Sequence, residues 1–230
     1  MRKNKIYSPK EGYNIIAPYY DNWIWQKFWH TNEYPYIEKW CNTLSPGNGL
    51  DIGSGSGNNL LCFLSKGHKV EALDVSEKML SICKKKYAKY IQQNNLSCIE
   101  LDICDFPEYE RKYDWVLSNR VFSHIKNIDN IIKKIANIIK FGGQCFISDI
   151  HPLHQYQCTN MTINDYEIYI ETFKHQKEEL EFAFAKNSFE IITQRVITTE
   201  NIINKEFITQ IPKLSIENNP IFFYYIIRYK

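Results

Sequence analysis

The sequence predicts an α/β fold in which a doubly wound, mostly parallel sheet follows an N-terminal helical cap. From Gly49 onward, short apolar runs alternate with amphipathic segments, as in chains that form strands and helices in turn. A glycine-rich segment at 53–57 joins one apolar run to the next helical segment. Residues before 47 carry many aromatic side chains and no strand-like run. We therefore expect a helical cap ahead of the sheet.

The chain length is compatible with one domain. A chain of 230 residues with 44% hydrophobic content can bury one full core, whereas two separate cores would be small. We predict a single domain with three parts: the cap over 1–46, a central half over 47–150 and a C-terminal region over 151–230.

The cap is predicted to contain two helices. Asp21 can cap a helix that begins at Asn22. Pro35 interrupts this helical segment, and a second helix is expected to run to Cys41. Residues 45–48, Ser-Pro-Gly-Asn, are typical of a turn and close the cap.

The central half contains five strand candidates and three helix candidates. The clearest helix carries a single isoleucine stripe opposite lysine and asparagine side chains, and Gly142 is predicted to end it. The strand candidates are 50–53, 69–73, 97–101, 114–118 and 144–148, and the helix candidates are 58–65, 76–90 and 129–140.

The C-terminal region is less regular. Residues 162–165 resemble a capping box, yet 167–173 alternate like a strand, so both structures remain possible there. A helix is predicted over 176–187, and the apolar runs 189–197 and 221–229 are predicted strands.

Composition excludes several classes of protein. With 28 basic and 26 acidic residues the net charge is +2, so a nucleic-acid partner is not expected. The seven cysteines are odd in number and lack C-x-x-C spacing, which indicates free thiols in a reducing compartment and no zinc site. No apolar stretch is long enough to cross a bilayer, and no signal-peptide pattern follows the basic start. We expect a soluble, cytoplasmic protein without a membrane partner.

The glycine-rich segment carries the strongest chemical signal. Gly53, Gly55 and Gly57 follow a strand and precede a helix, where a ligand must approach the backbone without a Cβ in the way. A dinucleotide fingerprint places its third glycine at 58, which is Asn58 here, and the Gly-Lys-Ser/Thr of a P-loop is absent. Asp51 would repel a pyrophosphate and attract the α-ammonium of a methionine moiety, although it could also be a simple turn residue.

Polar residues follow the next strands at the edge where ligands bind in open α/β sheets. Asp74 can accept hydrogen bonds from both hydroxyls of a ribose, although it could instead cap the helix that follows Ser76. Asp102 and Ile103 stand where an adenine ring could be hydrogen-bonded and sandwiched.

Residues 50–152 resemble the class I S-adenosylmethionine-dependent methyltransferases, with the motifs in the family's order and spacing. The resemblance implies S-adenosylmethionine as cofactor and a seven-stranded sheet whose last strand is antiparallel. It makes 47–150 the cofactor-binding half and 151–230 the acceptor side. The implied cofactor residues are Asp51, Gly53, Gly55 and Gly57 at the methionine end, Asp74 and Val75 at the ribose, Asp102 and Ile103 at the adenine, and Asn119 beside the sulfonium.

The cap resembles that of small-molecule methyltransferases, whose N-terminal helices close over the cofactor. Residues 13–21 match a Tyr-x-x-x-Ala-x-x-Tyr-Asp pattern of that group. The acceptor is therefore expected to be a small molecule or short peptide, methylated on oxygen or nitrogen by in-line displacement without a metal. The predicted acceptor-binding residues are Tyr20, Trp23, Trp25, Asp149 and His175, any of which could instead be ordinary core or surface residues.

A base is needed if the acceptor must lose a proton. His151 is the first candidate because it follows Asp149 just past a strand end, and His124 and Tyr19 are the next. Two other functions remain open: an NAD-type oxidoreductase on a similar sheet, and a catalytically silent S-adenosylmethionine-binding module. The oligomeric state is not predicted.

Overall fold

The computed structural model describes residues 5–107, 111–155, 158–211 and 219–230, so the first four residues of the predicted cap lie outside the described residues. The strands are β1 (Ile6–Tyr7), β2 (Asn48–Ile52), β3 (Lys69–Asp74), β4 (Leu96–Glu100), β5 (Tyr113–Asn119), β6 (Ile139–Ile150), β7 (Thr159–Ile163), β8 (Tyr166–Ile170), β9 (Phe189–Thr198) and β10 (Pro220–Tyr229). The helices are α1 (Pro9–Tyr20), α2 (Ile24–Asn32), α3 (Tyr34–Cys41), α4 (Leu60–Leu64), α5 (Glu77–Lys86), α6 (Ala88–Gln92), α7 (Ile128–Ile138), α8 (Lys177–Lys186) and α9 (Glu206–Gln210).

The main sheet has seven strands in the order β4-β3-β2-β5-β6-β10-β9. Strands β2 to β6 are paired in parallel, and β10 is antiparallel to both β6 and β9. The predicted seven-stranded, mostly parallel sheet with an antiparallel last strand is confirmed. The carboxyl ends of β2, β3, β4, β5 and β6 therefore meet at one edge.

Alternation along the central strands places apolar side chains on both faces of the sheet. Ile52, Val116 and Ile147 belong to the core cluster that includes α7 and α8. The neighbouring Leu117 and Phe146 belong to the cluster that includes α2, α3 and α4. Because successive strand residues point to opposite faces, this pattern requires helices on both sides, as the doubly wound prediction states.

Helix α7 forms as its isoleucine stripe predicts, and the Asn127 side chain caps it by accepting a hydrogen bond from the Asn130 N–H. The prediction that Gly142 ends this helix is wrong. The helix ends at Ile138, and Gly142 lies inside β6 with φ +78°. There the pairing of β5 with β6 shifts register, and an irregular strand residue with positive φ favours glycine.

The single helix predicted over 76–90 is two helices, α5 and α6. Ser76 caps α5, since its hydroxyl accepts from the Met79 N–H at 3.2 Å. Tyr87 interrupts the helix with φ −115° and ψ 25°. Its hydroxyl donates to the Gly57 carbonyl at 2.9 Å, so this break supports the glycine loop.

The cap contains a helix that the sequence did not predict, α1. Ser8 and Glu11 form a capping box at its start. The prediction that Asp21 caps a helix at Asn22 is wrong, because Asp21 instead follows the last residue of α1. Its carboxylate accepts from the Ser56 hydroxyl at 2.5 Å and pairs with Lys86 at 2.8 Å, which ties the cap to the glycine loop and α5.

A small second sheet has three strands in the order β1-β8-β7. Strands β7 and β8 form an antiparallel hairpin, and β1 adds to β8 in parallel. The alternative left open for 162–173 is decided in favour of the strand. Of the residues in the apparent capping box, Thr162 and Ile163 end β7, and Asn164 and Asp165 form the hairpin turn with φ 47° and 66°.

No helix within the described ranges is both long and apolar enough to cross a membrane.

Candidate functional site

Two adjoining cavities open at the carboxyl edge of the sheet. The first, here the loop cavity, lies against the glycine loop and the ends of β2 to β5, and the second, the aromatic cavity, lies under the cap. Both are lined by Tyr13, Tyr20, Arg120 and His124. The loop cavity is further lined by Pro9, Ile52, Gly53, Gly55, Leu73, Asp74, Val75, Met79, Leu101, Asp102, Ile103, Asn119, Val121 and Ile125, and the aromatic cavity by Trp23, Trp25, Gln26, Trp29, Ser123, Ile150, His154, Thr159 and Asn160.

The glycine loop forms one wall of the loop cavity. Gly53 has φ +66°, and a Cβ at this position would lie 2.3 Å from Cγ2 of Val121. Only glycine satisfies both conditions. Gly57 does not line either cavity, since its backbone packs against Cys83 and Tyr87. Of the three predicted glycines, Gly53 and Gly55 therefore face the cavity and Gly57 supports the loop from behind.

Asp51 also lies behind the loop. It is 2% exposed and is not among the described residues that line either cavity. The structure therefore gives Asp51 no direct contact with a ligand in these cavities. On β2 its side chain points to the face opposite Leu50 and Ile52. Burial, together with the nearby charge of Asp74, raises the pKa of Asp51 well above its usual value. One carboxylate oxygen has no hydrogen-bond partner among the described residues.

Asp74 holds the loop and still faces the cavity. Its two oxygens accept from the Gly55 N–H at 2.7 Å and the Ser76 N–H at 2.8 Å. Each carboxylate oxygen can accept a second hydrogen bond, so both can still receive a hydroxyl. Burial raises the pKa of this carboxyl to about 6. The alternative role as a helix cap is filled by Ser76.

An apolar slot continues from Asp74 along the ends of β3 and β4. Val75, Met79 and Leu101 line it together with Ile103, which is buried. Asp102 lies at its rim, where one carboxylate oxygen accepts from the Cys104 N–H at 2.8 Å. A flat aromatic ring with an amino group fits such a slot.

Asn119 ends β5 at the floor of the loop cavity. It is 8% exposed. Its amide donates to the Ser148 hydroxyl at 2.8 Å, and its oxygen accepts from Asn59 at 3.1 Å. The side chain is thus fixed where the two cavities meet.

Aromatic rings dominate the second cavity, as the cap sequence predicts. Tyr20, Trp23 and Trp25 all line it. Trp25 stacks on Trp29 with the ring centroids 5.5 Å apart. Burial raises the pKa of the Tyr20 hydroxyl, which therefore stays protonated at neutral pH.

A tyrosine and a histidine form a hydrogen-bonded pair between the cavities. The hydroxyl of Tyr13 lies 2.9 Å from Nε2 of His124, and Nδ1 of His124 lies 2.7 Å from the Glu171 carbonyl oxygen. A carbonyl only accepts, so Nδ1 carries the proton and Nε2 accepts from Tyr13. Burial lowers the pKa of His124, which keeps the ring neutral at pH 7.

The other two base candidates do not reach the cavities. His151 is half-buried and accepts from the Leu153 N–H at 3.2 Å. Tyr19 is 46% exposed. Neither is among the described residues lining the two cavities. Tyr13 and Tyr20 share a face of α1 because they are seven residues apart, whereas Tyr19 is rotated by about 100° from Tyr20.

Asp149 and His175 lie beneath the site rather than in it. Asp149 is buried, accepts from the Ser123 N–H at 2.6 Å, and has its pKa raised to about 6 by burial. His175 donates through Nε2 to the carbonyls of Phe122 and Ile125. The two side chains therefore fix the turn that carries His124, in place of the direct acceptor contacts predicted for them.

Sequence reasoning missed several wall residues: Arg120, Gln26, His154 and Trp29. Arg120 had a usable signal, because it directly follows the end of a strand at the ligand edge. The others depend on how the cap and the β7–β8 hairpin pack, which no local pattern encodes. The described residues contain no cluster of three metal-ligating side chains.

Comparison with known proteins shows which family the chain resembles. Residues 50–147 match the family model described as a methyltransferase domain. Over this part, the chain is similar to the class I methyltransferases. Over 117 residues it is 29% identical to a ubiquinone biosynthesis O-methyltransferase of Coxiella burnetii, a match that covers 50% of this chain and 48% of that protein. The chain thus spans at most about half the length of the curated relatives it matches.

Solved structures of the methyltransferase fold resemble the whole chain. A phosphoethanolamine N-methyltransferase 2 of Haemonchus contortus, in complex with phosphomonomethylethanolamine and S-adenosylhomocysteine, aligns with a TM-score of 0.72 at 18% identity, covering 97% of this chain and 60% of that one. A [4+2]-cyclase aligns with a TM-score of 0.69 at 12% identity and 99% coverage of both chains. At these identities the likeness shows the fold alone.

S-adenosylmethionine is the cofactor of this family, and the residues present fit it. Gly53 and Gly55 leave room for the methionine end, and Asp74 keeps free acceptor positions for two ribose hydroxyls. The apolar slot with Asp102 at its rim suits adenine. Asp51 does not add to this fit, because it lies behind the loop and burial raises its pKa, which favours the neutral acid.

Proposed function

We propose that this chain transfers the methyl group of S-adenosylmethionine to an oxygen or nitrogen atom of a small molecule or short peptide. The shared wall of the two cavities supports the proposal most. A methionine end on the glycine loop, with its sulfonium beside Asn119, would direct the methyl group toward the aromatic cavity. An acceptor held there would lie on the opposite side of the methyl carbon from the sulfur.

The bound cofactor supplies an activated methyl group, so the protein has mainly to position the acceptor and exclude water. In the transfer, the sulfur–carbon bond breaks as the bond to the acceptor forms, and S-adenosylhomocysteine is the product. The rings of Trp23, Trp25 and Trp29 would enclose the reacting atoms in an environment of low polarity.

The proton of the acceptor is proposed to pass to His124 through Tyr13. The neutral His124 ring has its acceptor nitrogen on the Tyr13 hydroxyl, and Tyr13 lines both cavities. When the acceptor gives its proton to the tyrosine oxygen, Tyr13 can pass its own proton to Nε2. His124 thereby replaces His151 as the leading base candidate.

Titration calorimetry with S-adenosylhomocysteine and, in parallel, with NAD tests the proposal. We expect micromolar binding of S-adenosylhomocysteine and none of NAD. Binding of NAD alone would indicate an oxidoreductase. Tight binding of S-adenosylhomocysteine without methyl transfer to any acceptor pool would indicate a silent binding module.

Asp74→Ala is expected to weaken S-adenosylhomocysteine binding by about tenfold or more, because hydrogen bonds from the ribose to a charged acceptor are lost. Calorimetry measures the change. Glu71→Ala is the matched control: it removes a carboxylate from the same strand, but one bound to Tyr113 away from the cavities. Equal dissociation constants for wild type and Asp74→Ala would leave Asp74 with only a structural role.

Cofactor affinity is expected to rise as the pH increases from 5 to 7. Asp74 has a pKa of about 6 instead of 3.8, so it is partly protonated in this range, whereas only its ionised form accepts from both ribose hydroxyls. Binding should therefore release protons near pH 6, seen as a dependence of the calorimetric enthalpy on the ionisation enthalpy of the buffer. Asp74→Asn should abolish this release, and proton release that survives the substitution would contradict the assignment.

A further inference from the structure

Arg120 occupies an unusual position between the two cavities. It directly follows β5 and has φ +58°. This is the left-handed region of backbone conformation, which residues other than glycine and asparagine rarely adopt. Such backbone strain persists only where the surroundings hold it, and it is concentrated at functional sites. The consequence here is that the guanidinium is directed beneath the cap.

The guanidinium is held on three sides, and one of its nitrogens has no hydrogen-bond partner among the described residues. Its Nη2 donates to the Asn119 side chain at 2.9 Å, and its Nε lies 3.5 Å from a carboxylate oxygen of Glu33. The ring of Trp29 lies 4.9 Å from its central carbon. The remaining nitrogen, Nη1, is buried without a hydrogen-bond partner among the described residues.

The ion pair with Glu33 is incomplete. The Glu33 side chain is 2% exposed and that of Arg120 is 16% exposed, so water screens neither charge well. A distance of 3.5 Å is long for a charge-assisted hydrogen bond, and the other Glu33 oxygen also lacks a partner. An unpaired buried donor on a charged group is costly, and a ligand acceptor would remove that cost.

Arg120 lies on the acceptor side of Asn119. Trp29, which lies against its guanidinium, lines the aromatic cavity and not the loop cavity. Among the described residues lining the aromatic cavity, Arg120 is the one lysine or arginine. Arg120 also lines the loop cavity, where it donates to Asn119, so its charge is available to a molecule in the aromatic cavity as well as to the methionine end of a bound cofactor.

We propose, on the basis of the function proposed above, that the acceptor carries an oxyanion group, a carboxylate or a phosphate, which the guanidinium of Arg120 binds in the aromatic cavity. The oxyanion would fix one end of the acceptor against Arg120 and Trp29. The atom that receives the methyl group would then face Tyr13 and His124. Arg120 thus selects anionic acceptors over neutral ones of the same shape.

The test measures binding of small probes to the protein saturated with S-adenosylhomocysteine, so that the cofactor's own carboxylate site is filled. The probes are benzoate, phenyl phosphate and neutral benzamide. The binding of each probe is measured by ligand-observed NMR. We expect benzoate or phenyl phosphate to bind at least about tenfold more tightly than benzamide, and Arg120→Gln to remove this preference. Whichever of the two anions binds more tightly shows whether the acceptor carries a carboxylate or a phosphate.

Glu33→Gln is the matched variant, because it breaks the same ion pair from the other side. If Arg120 binds an oxyanion, Glu33→Gln keeps or strengthens anion binding, since a competing carboxylate is gone. If the pair is only structural, neither variant changes the preference among probes. The double variant Arg120→Gln/Glu33→Gln removes both charges, so it supplies the measurement if Arg120→Gln alone does not fold.

Equal binding of anionic and neutral probes to the wild type would overturn the inference. So would an Arg120→Gln variant that loses S-adenosylhomocysteine while it keeps the anion preference, because the guanidinium would then serve the cofactor. Failure of the wild type to bind S-adenosylhomocysteine would instead contradict the proposed function, so the two failures are distinguishable.

Discussion

Gly53→Ala is expected to reduce S-adenosylhomocysteine affinity by about 100-fold or more, which corresponds to roughly 2.7 kcal/mol. The added Cβ would meet Val121 at 2.3 Å, and φ +66° is unfavourable for alanine. The loop must therefore move, and its wall of the loop cavity moves with it. Calorimetry on the folded variant measures the loss.

Gly67→Ala separates the effect of backbone strain from the effect of the steric clash in the loop. Gly67 has φ +83°, yet a Cβ there would have nothing within 4 Å, and the residue is outside both cavities. It should lower the melting temperature through backbone strain and leave cofactor affinity unchanged. If Gly53→Ala bound S-adenosylhomocysteine as tightly as Gly67→Ala, the loop would not be the cofactor's binding surface.

His124→Ala is expected to lower methyl transfer by about 100-fold with little change in S-adenosylhomocysteine affinity, as the loss of a general base predicts. In the wild type, burial lowers the pKa of His124 below its ordinary 6.5, so the base form persists into mildly acidic solution. With the cofactor held at a saturating concentration, activity should fall only as the pH drops through that lowered value. The rate is measured as transfer of a labelled methyl group to fractionated small-molecule acceptors.

Tyr13→Phe and His151→Ala complete this experiment. Tyr13→Phe removes the hydroxyl that connects the acceptor to His124, so it should reproduce most of the loss. His151→Ala tests the base assignment made from the sequence. A large loss in His151→Ala with a near wild-type rate in His124→Ala would restore His151 and contradict the pair described above.

The cofactor half of the site was predictable because its signals are local. Three glycines after a strand, and an acidic residue at the end of the next, indicate both the fold and the edge of the sheet where the loop cavity opens. Even there, the sequence could not show that Asp51 and Gly57 lie behind the loop while Gly53 faces the cavity. For the two glycines, that distinction depends on how the loop packs against Val121 on one side and against Cys83 and Tyr87 on the other.

The acceptor half was less predictable because its residues meet through long-range packing. Tyr13 reaches His124 only because α1 packs against α5 and β8, and the sequence analysis did not predict that helix. Asp149 and His175 looked like ligand-binding groups, yet both support a turn. A polar residue at a strand end signals the site without showing whether it contacts the ligand or the chain.

The placement of β10 has a consequence for the order of folding. This strand comes last among the strands of the sheet in sequence and yet pairs on both sides, so that Tyr224 lies opposite Ser148 of β6 and Arg195 of β9. Strand β9 has no other partner in that sheet. Strands β2 to β6 can pair through contacts close in sequence, whereas one edge each of β6 and β9 stays unpaired until β10 forms. We therefore expect the pairing of β10 to be a slow final folding step. A chain cut before residue 219 should expose these two unpaired strand edges and aggregate.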